Sequence, residues 1–331
     1  MQTQSPYSLN ILSVMPTYIN SFIHYKNVNM NVEETSLRIE DMTIRGAGRI
    51  ARAAASALGE FASGFETGTL EEFLKGISNA AERLLSTRPT AISLHNGVRM
   101  TLKDVDGQPD LNSARNLVMA NADAFVKNSN SAVERIGQHA AGLLEKPGKA
   151  ITICNSTAAI TAIIACHRAG KIVGVYACET RPKRQGLITA RELSEAGVPV
   201  TLIVDSAMRY VMPEVAVAFV GTDTLESDGS VINKIGTHLL AATARDFKVP
   251  FYACAETYKF LPASKIGRRV EIEKRSSREI VSGTEIPNGV EIFNPVFDRV
   301  PPELITGIIT ENGIVKPGDA IKIIEECLGG I

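Results

Sequence analysis

The chain has 331 residues, is 44% hydrophobic, and carries 35 Lys and Arg against 36 Asp and Glu. That length suggests about two domains with a sizeable core, and a formal charge of −1 argues against a nucleic-acid or membrane partner, which calls for a basic excess. No apolar run approaches the ~20 residues of a membrane helix, and five cysteines without CxxC spacing argue against a zinc site and for a reducing, cytoplasmic compartment.

Residues 1–29 are polar-aromatic with almost no charge, and lack the basic start and apolar core of a secretory signal. They read as a disordered extension, or as sequence upstream of a start at Met30. Residues 30–148 then form a helical domain. RIARAAASALGEFASGF (49–65) and LEEFLKGISNAAERLLSTRP (70–89) repeat apolar residues at three and four positions. A turn at Gly107-Gln108-Pro109-Asp110 precedes a long helix over about 112–144.

From residue 149 the period changes. AITIC (150–154), KIVGVYACE (171–179), PVTLIVD (199–205), VAFVGTD (217–223) and VPFYACAE (249–256) are expected strands, separated by helical patterns. Asn233-Lys234 is expected to open one of those helices. Continuous apolar runs fit strands buried on both faces. The fold class is therefore α/β, a helical N-terminal domain plus a Rossmann-like parallel-sheet domain over 149–331. In such sheets ligands sit at the carboxyl ends of the strands. Here those ends carry Cys154, Glu179, Asp205, Asp223 and Glu256.

Cys154 stands just ahead of a helix, whose dipole and free amides favour a thiolate. Asp223 is expected to face the same cleft, and a thiol opposing a carboxylate can move protons between carbon and oxygen. Anion-holding groups recur along the chain: Arg45, Gly46 and Ala47 in a glycine-rich turn, Arg88 and Arg181 each beside a proline, Asn233-Lys234, and Lys259. Several of them around one rim suggest a ligand with more than one phosphate. Gly46-Ala47-Gly48-Arg49-Ile50-Ala51 matches GxGxxA but lies in the helical half, which excludes a nicotinamide site. Residues 268–275 alternate in charge and read as a solvated loop or subunit edge. The five histidines show no metal spacing.

Six motifs in order, IRGAG, TRPTA, ICNST, ETRP, GTDTLESDGSVINKIGT and AETYKF, resemble the superfamily of translation initiation factor 2B alpha, beta and delta subunits, methylthioribose-1-phosphate isomerase and archaeal ribose-1,5-bisphosphate isomerase. The resemblance covers nearly all of the chain after Met30. In both isomerases a cysteine follows the first sheet strand and an aspartate the fourth, the positions of Cys154 and Asp223, whereas the translation-factor subunits generally lack the pair. The resemblance therefore implies an enzyme with Cys154 and Asp223 as catalytic groups, and Arg45, Gly46, Ala47, Arg88, Ser156, Arg181, Asn233, Lys234 and Lys259 as substrate-binding ones. Methylthioribose-phosphate isomerases read RGAPAIG and CNAG where this chain has RGAGRIAR and CNSTA. With Arg49 and Lys259 adding charge, this favours conversion of ribose 1,5-bisphosphate to ribulose 1,5-bisphosphate, in AMP salvage feeding a ribulose-bisphosphate carboxylase. The alternatives are methylthioribose-1-phosphate isomerase and a non-catalytic regulatory subunit. The family further implies a homodimer or a hexamer of three dimers, AMP as an activator, and neither metal nor redox cofactor.

Overall fold

The computed structural model describes residues 31–261, 267, 269–281, 286 and 288–328. The expected extension over 1–29 lies outside the described residues, as does Arg268 of the charged run.

The first half is helical: α1 (Val32–Glu40), α2 (Ala47–Gly64), α3 (Leu70–Thr87), α4 (Ile92–Thr101) and α5 (Leu111–Ala141). Their starts are written in the sequence. Asn31 Oδ1 accepts from the Glu34 amide at 2.8 Å, Thr69 Oγ1 from Glu72 at 3.2 Å and Asp110 Oδ1 from Ser113 at 2.9 Å. Each satisfies a donor that the first helical turn leaves free. Leu58, Phe73, Leu84, Leu94 and Val118 pack into one core between these helices. The long α5 serves two cores: Ala114 and Val118 belong to the helical one, Ile136 and Ala140 to one against the sheet.

The second half is α/β. Seven strands among the described residues lie in the order β10-β9-β7-β4-β1-β2-β3. They are β1 (Gly148–Thr152), β2 (Ile172–Cys178), β3 (Val200–Ile203), β4 (Val215–Gly221), β7 (Phe251–Cys254), β9 (Gly307–Thr310) and β10 (Gly313–Val315). All pairs are parallel except β9 with β10. Helices α6 (Thr157–Arg168), α7 (Gly186–Glu195), α8 (Met208–Val211), α9 (Thr237–Asp246) and α10 (Ala320–Leu328) complete this half. Along β4, Val217 and Phe219 pack with α5 and α6 while Ala218 and Val220 pack with residues of α9 and α10. Both faces of the strand are covered, so its sequence is apolar throughout.

Two expectations need correction. Five strands were legible, but β9 and β10 are short and follow the proline pair at 301–302, so they gave no clear period. Asn233-Lys234 does not open a helix. It ends β6 (Val231–Lys234), which pairs antiparallel with β5 (Thr224–Leu225) and β8 (Phe297–Val300) in a second sheet. Helix α9 begins three residues later, after Gly236 at φ +98°. That positive φ lets the chain turn sharply between strand and helix.

The strand order reverses at β1, which lies between β4 and β2. Such a switch point opens a crevice at the carboxyl ends of the strands, and the loops after β1 and β4 carry Cys154 and Asp223.

Candidate active site

Thr152 ends β1 and Thr157 starts α6; Cys154 lies between them with φ +71°. Its amide donates to Thr180 Oγ1 at 2.8 Å, and its carbonyl accepts from Thr189 Oγ1 at 2.6 Å. Ser156 caps α6, its Oγ accepting from the Ala159 amide at 3.4 Å. The expected thiolate is not what this setting favours. Burial pushes the thiol up to about 11, and Asp223 adds to that, against opposing pulls from Lys234 and Arg45. Cys154 stands two residues ahead of the cap, and desolvation of the anion outweighs the nearby positive charge.

Asp223 leaves β4 on the neighbouring strand. Burial raises its carboxyl above the ordinary value, while Lys234, Lys259, Arg88 and Arg275 hold it down. Gly221 ends β4 against the Cys154 loop: a Cβ there would come within 2.3 Å of Ser156 Cβ.

One cavity brings Cys154 and Asp223 together with Arg45, Gly46, Ala47, Arg88, Ser156, Asn233, Lys234 and Lys259. Gly46, at φ +89°, precedes α2 with no side-chain cap, so the first amides of that helix remain available to an anion. Lys234 is buried, its Nζ 4.8 Å above the Phe297 ring. Lys259 pairs with Glu256 at 2.7 Å, both nearly enclosed. Burial works against the charge of Glu256, yet the Lys259 ammonium and the Tyr258 hydroxyl leave its carboxyl below the usual range. Asn233 is oriented by its bond to Thr237 Oγ1 at 3.0 Å.

Arg181 is not brought there. Its guanidinium donates to the Ile280 carbonyl at 3.0 Å and its amide to Asp205 Oδ2 at 2.7 Å. Nor do all the strand ends converge. Cys154, Asp223 and Glu256 line the cavity, whereas Asp205 holds the 180–181 turn and Glu179 lies 3.9 Å from Arg184.

The charged run over 269–275 is more than a solvated loop. Val270, Glu271 and Arg275 line the cavity, and Glu273 bridges Arg88 at 3.1 Å and Arg275 at 2.8 Å. Arg275 was missed because alternating charge normally marks a solvated face. Arg49 and Arg52 also reach the cavity, so its cations outnumber its carboxylates, Asp223, Glu256 and Glu271. Such a wall suits a ligand with several negative charges. Among the described residues no cluster of three His, Cys, Asp or Glu could hold a metal.

Residues 43–317 match the family model described as the initiation factor 2 subunit family. The chain is similar to the ribose 1,5-bisphosphate isomerase of Methanocaldococcus jannaschii, 42% identical over 298 residues, covering 90% of this chain and 96% of that protein. It is likewise 42% identical over 305 residues to the ribose 1,5-bisphosphate isomerase of Thermococcus kodakarensis, covering 90% and 95%. The solved 5-methylthioribose 1-phosphate isomerase from Pyrococcus horikoshii superposes with a TM-score of 0.75 at 33% identity, covering 89% of this chain and 88% of that one.

Proposed function

The chain belongs to the initiation factor 2 subunit family, and within it we propose that this protein is an isomerase converting ribose 1,5-bisphosphate to ribulose 1,5-bisphosphate. The carrying observation is one cavity at the switch point of the sheet that brings the Cys154 thiol and the Asp223 carboxylate, both shifted upward by burial, together with an excess of cations. Relatives of the same name at 42% identity support the substrate. Residues 30–148 and 149–331 are proposed as its two domains, with the cavity between them.

A phosphate on carbon 1 locks the sugar as a ring, so there is no free aldehyde to isomerise. Cys154, held as a thiol, protonates the ring oxygen as the ring opens. A hydrogen then passes from carbon 2 to carbon 1, and Asp223 takes the proton released from the substrate. Carbon 1 is reduced as carbon 2 is oxidised, so electrons balance within the sugar. The proton gained by the ring oxygen matches the one lost from the carbon-2 hydroxyl, leaving Cys154 a thiolate and Asp223 a carboxylic acid; passage of that proton from Asp223 back to Cys154, directly or through solvent, resets the enzyme. Arg45, the first amides of α2, Ser156, Arg88, Asn233, Lys234, Lys259 and Arg275 line the cavity and are assigned to holding the phosphates and hydroxyls; Arg181 is left out of this set.

The excess of cations over carboxylates in the cavity favours a bisphosphate over a monophosphate bearing an apolar methylthio group. Family resemblance supports assignment to archaeal AMP salvage feeding a ribulose-bisphosphate carboxylase, AMP activation, and assembly as a dimer or hexamer. Five free cysteines support a reducing cytoplasm, and no helix among the described residues is long and apolar enough to cross a membrane.

The test is turnover of ribose 1,5-bisphosphate, with and without AMP, by wild type, Cys154→Ser and Asp223→Asn. Each variant is expected to lose roughly a hundred- to ten-thousand-fold in kcat, the usual worth of a positioned acid or base. A folded wild type that forms no ribulose 1,5-bisphosphate under either condition overturns the proposal.

A further inference from the structure

We propose that Thr180 and Thr189 are positioning residues for Cys154, gripping its peptide unit from both sides and thereby setting where the thiol stands. The inference rests on the isomerase reading for the chemistry of Cys154, but not for the grip itself.

Cys154 adopts φ +71°, a conformation unfavourable for a residue with a side chain. Such strain persists only where surrounding contacts over-determine it. Neither of its backbone polar groups is taken by the sheet or by α6. Its amide goes to Thr180 Oγ1 at 2.8 Å, and its carbonyl to Thr189 Oγ1 at 2.6 Å. Both threonines are buried, at 0% and 1% exposure, and neither lines the cavity. They reach the cavity only through Cys154 and, for Thr189, through its neighbour Asn155.

Each threonine is itself fixed. The Thr180 hydroxyl donates to the Cys178 carbonyl at 3.0 Å, so one hydroxyl ties the end of β2 to the loop after β1. Asp205, after β3, accepts from the Thr180 amide at 2.8 Å and the Arg181 amide at 2.7 Å. Three adjacent strand ends are thus linked in series towards the thiol. Thr189 lies on α7, whose start is pressed against β2: a Cβ on Gly186 would fall 1.8 Å from the Cys178 carbonyl oxygen. Asn155 Nδ2 donates to Thr189 Oγ1 at 3.2 Å and to Glu192 at 3.1 Å, securing the next residue to the same helix. In ETRP, then, the threonine rather than the arginine serves the site.

Removing either hydroxyl leaves a buried amide or carbonyl unpaired and frees the peptide to relax from positive φ, which re-aims the thiol. Valine is the suitable change, since it keeps the β-branched shape and deletes the hydroxyl; serine keeps the hydroxyl. The experiment uses the full chain as Thr180→Val, Thr189→Val and the two Ser counterparts. It reads kcat and KM with ribose 1,5-bisphosphate, and separately the pH-dependent alkylation of Cys154 by iodoacetamide, followed on its own peptide by mass spectrometry.

The valine variants are expected to lose about tenfold or more in kcat with KM within about twofold, as misplacement of a reacting group does. Their Cys154 alkylation rate is expected to change about threefold or more at a given pH, and the serine variants to restore both readouts. Folded valine variants with wild-type kcat and a wild-type alkylation profile overturn the proposal, as does a rise in KM alone. If Thr180→Val does not fold, Thr189→Val decides by the same criteria from the other side of the peptide. If the wild type turns over no bisphosphate, the isomerase reading falls while alkylation still decides the grip.

Discussion

Cys154 and Asp223 are both shifted upward by burial, and in the proposed mechanism the shifts serve opposite ends of a proton transfer. A thiol near 11 stays protonated throughout the neutral range and can donate. A carboxylate raised by burial, against the pull of four cations, holds a proton more firmly than an exposed aspartate. The working form therefore needs Asp223 deprotonated and Cys154 protonated. On the acid side, kcat/KM should fall as pH drops through a value above the ordinary 3.8 of an aspartate. On the alkaline side it should stay level until pH nears about 11. A pH profile of kcat/KM checks this; an alkaline fall centred at about 8.5, the ordinary thiol value, would mean that the thiol is not desolvated. Both residues were legible because each closes an apolar strand pattern, and strand ends meet at the rim of a parallel sheet. Arg181 follows a strand pattern by two residues, yet nothing local tells that its guanidinium goes to the Ile280 carbonyl, 99 positions away in sequence. Arg275 was hidden for the converse reason: its inward direction is set by Glu273 and by backbone pairing with Asn294, not by its neighbours in the run.

Elements meet at this site with little slack. The end of β4 and the cap of α6 touch at Gly221 and Ser156, and no Cβ fits between them. Gly221→Ala should therefore cost about 1–3 kcal/mol, as overpacking in a well-filled core does, and should lower kcat by displacing the loop that carries Cys154. Thermal unfolding and kcat, measured on the same preparation, test it; unchanged values in both would show that the contact yields freely. The parallel strands were legible as elements because strands covered on both faces are apolar at every position. The second sheet was not. VINK runs directly into the pattern of α9, and two antiparallel partners for a four-residue strand come from 224–225 and 297–300. Its consequence is large, since β6 delivers Asn233 and Lys234 to the cavity from a strand end rather than from a helix. The two residues line the cavity but their element was misread, because what marks them is charge after an apolar run, and both element types produce that.

At the scale of the molecule, the cavity exists only where the helical half meets the sheet, since Arg45 and Arg88 come from one and Cys154, Asp223 and Lys259 from the other. Sequence periodicity distinguished the halves but could not show how they meet around the cavity, because several of the contacts there pair residues more than 150 positions apart. Asn96 on α4 is the clearest of them. Fully buried, its Nδ2 donates to the carbonyls of Tyr258 and Phe260 at 2.9 Å each, flanking Lys259. The segment that carries Lys259 is thus tied to the helical half by this amide group, together with the Ser129–Tyr258 hydroxyl pair at 2.9 Å and the packing of Tyr258 on Phe125. Asn96→Ala leaves two buried carbonyls unpaired and should cost about 2–3 kcal/mol. Asn96→Asp should cost more, since it sets a carboxylate against two carbonyl oxygens. On the proposed role of Lys259, loosening it weakens the hold on phosphate, so KM should rise about tenfold in Asn96→Ala, equivalent to about 1.4 kcal/mol. The chemical groups of Cys154 and Asp223 stay in place, so kcat should fall less than KM rises. Melting temperature and steady-state kinetics on the two variants decide the matter. A melting temperature unchanged in both would mean that the halves are held elsewhere, and a fall in kcat with constant KM would mean that Asn96 reaches the reacting groups rather than the phosphate wall.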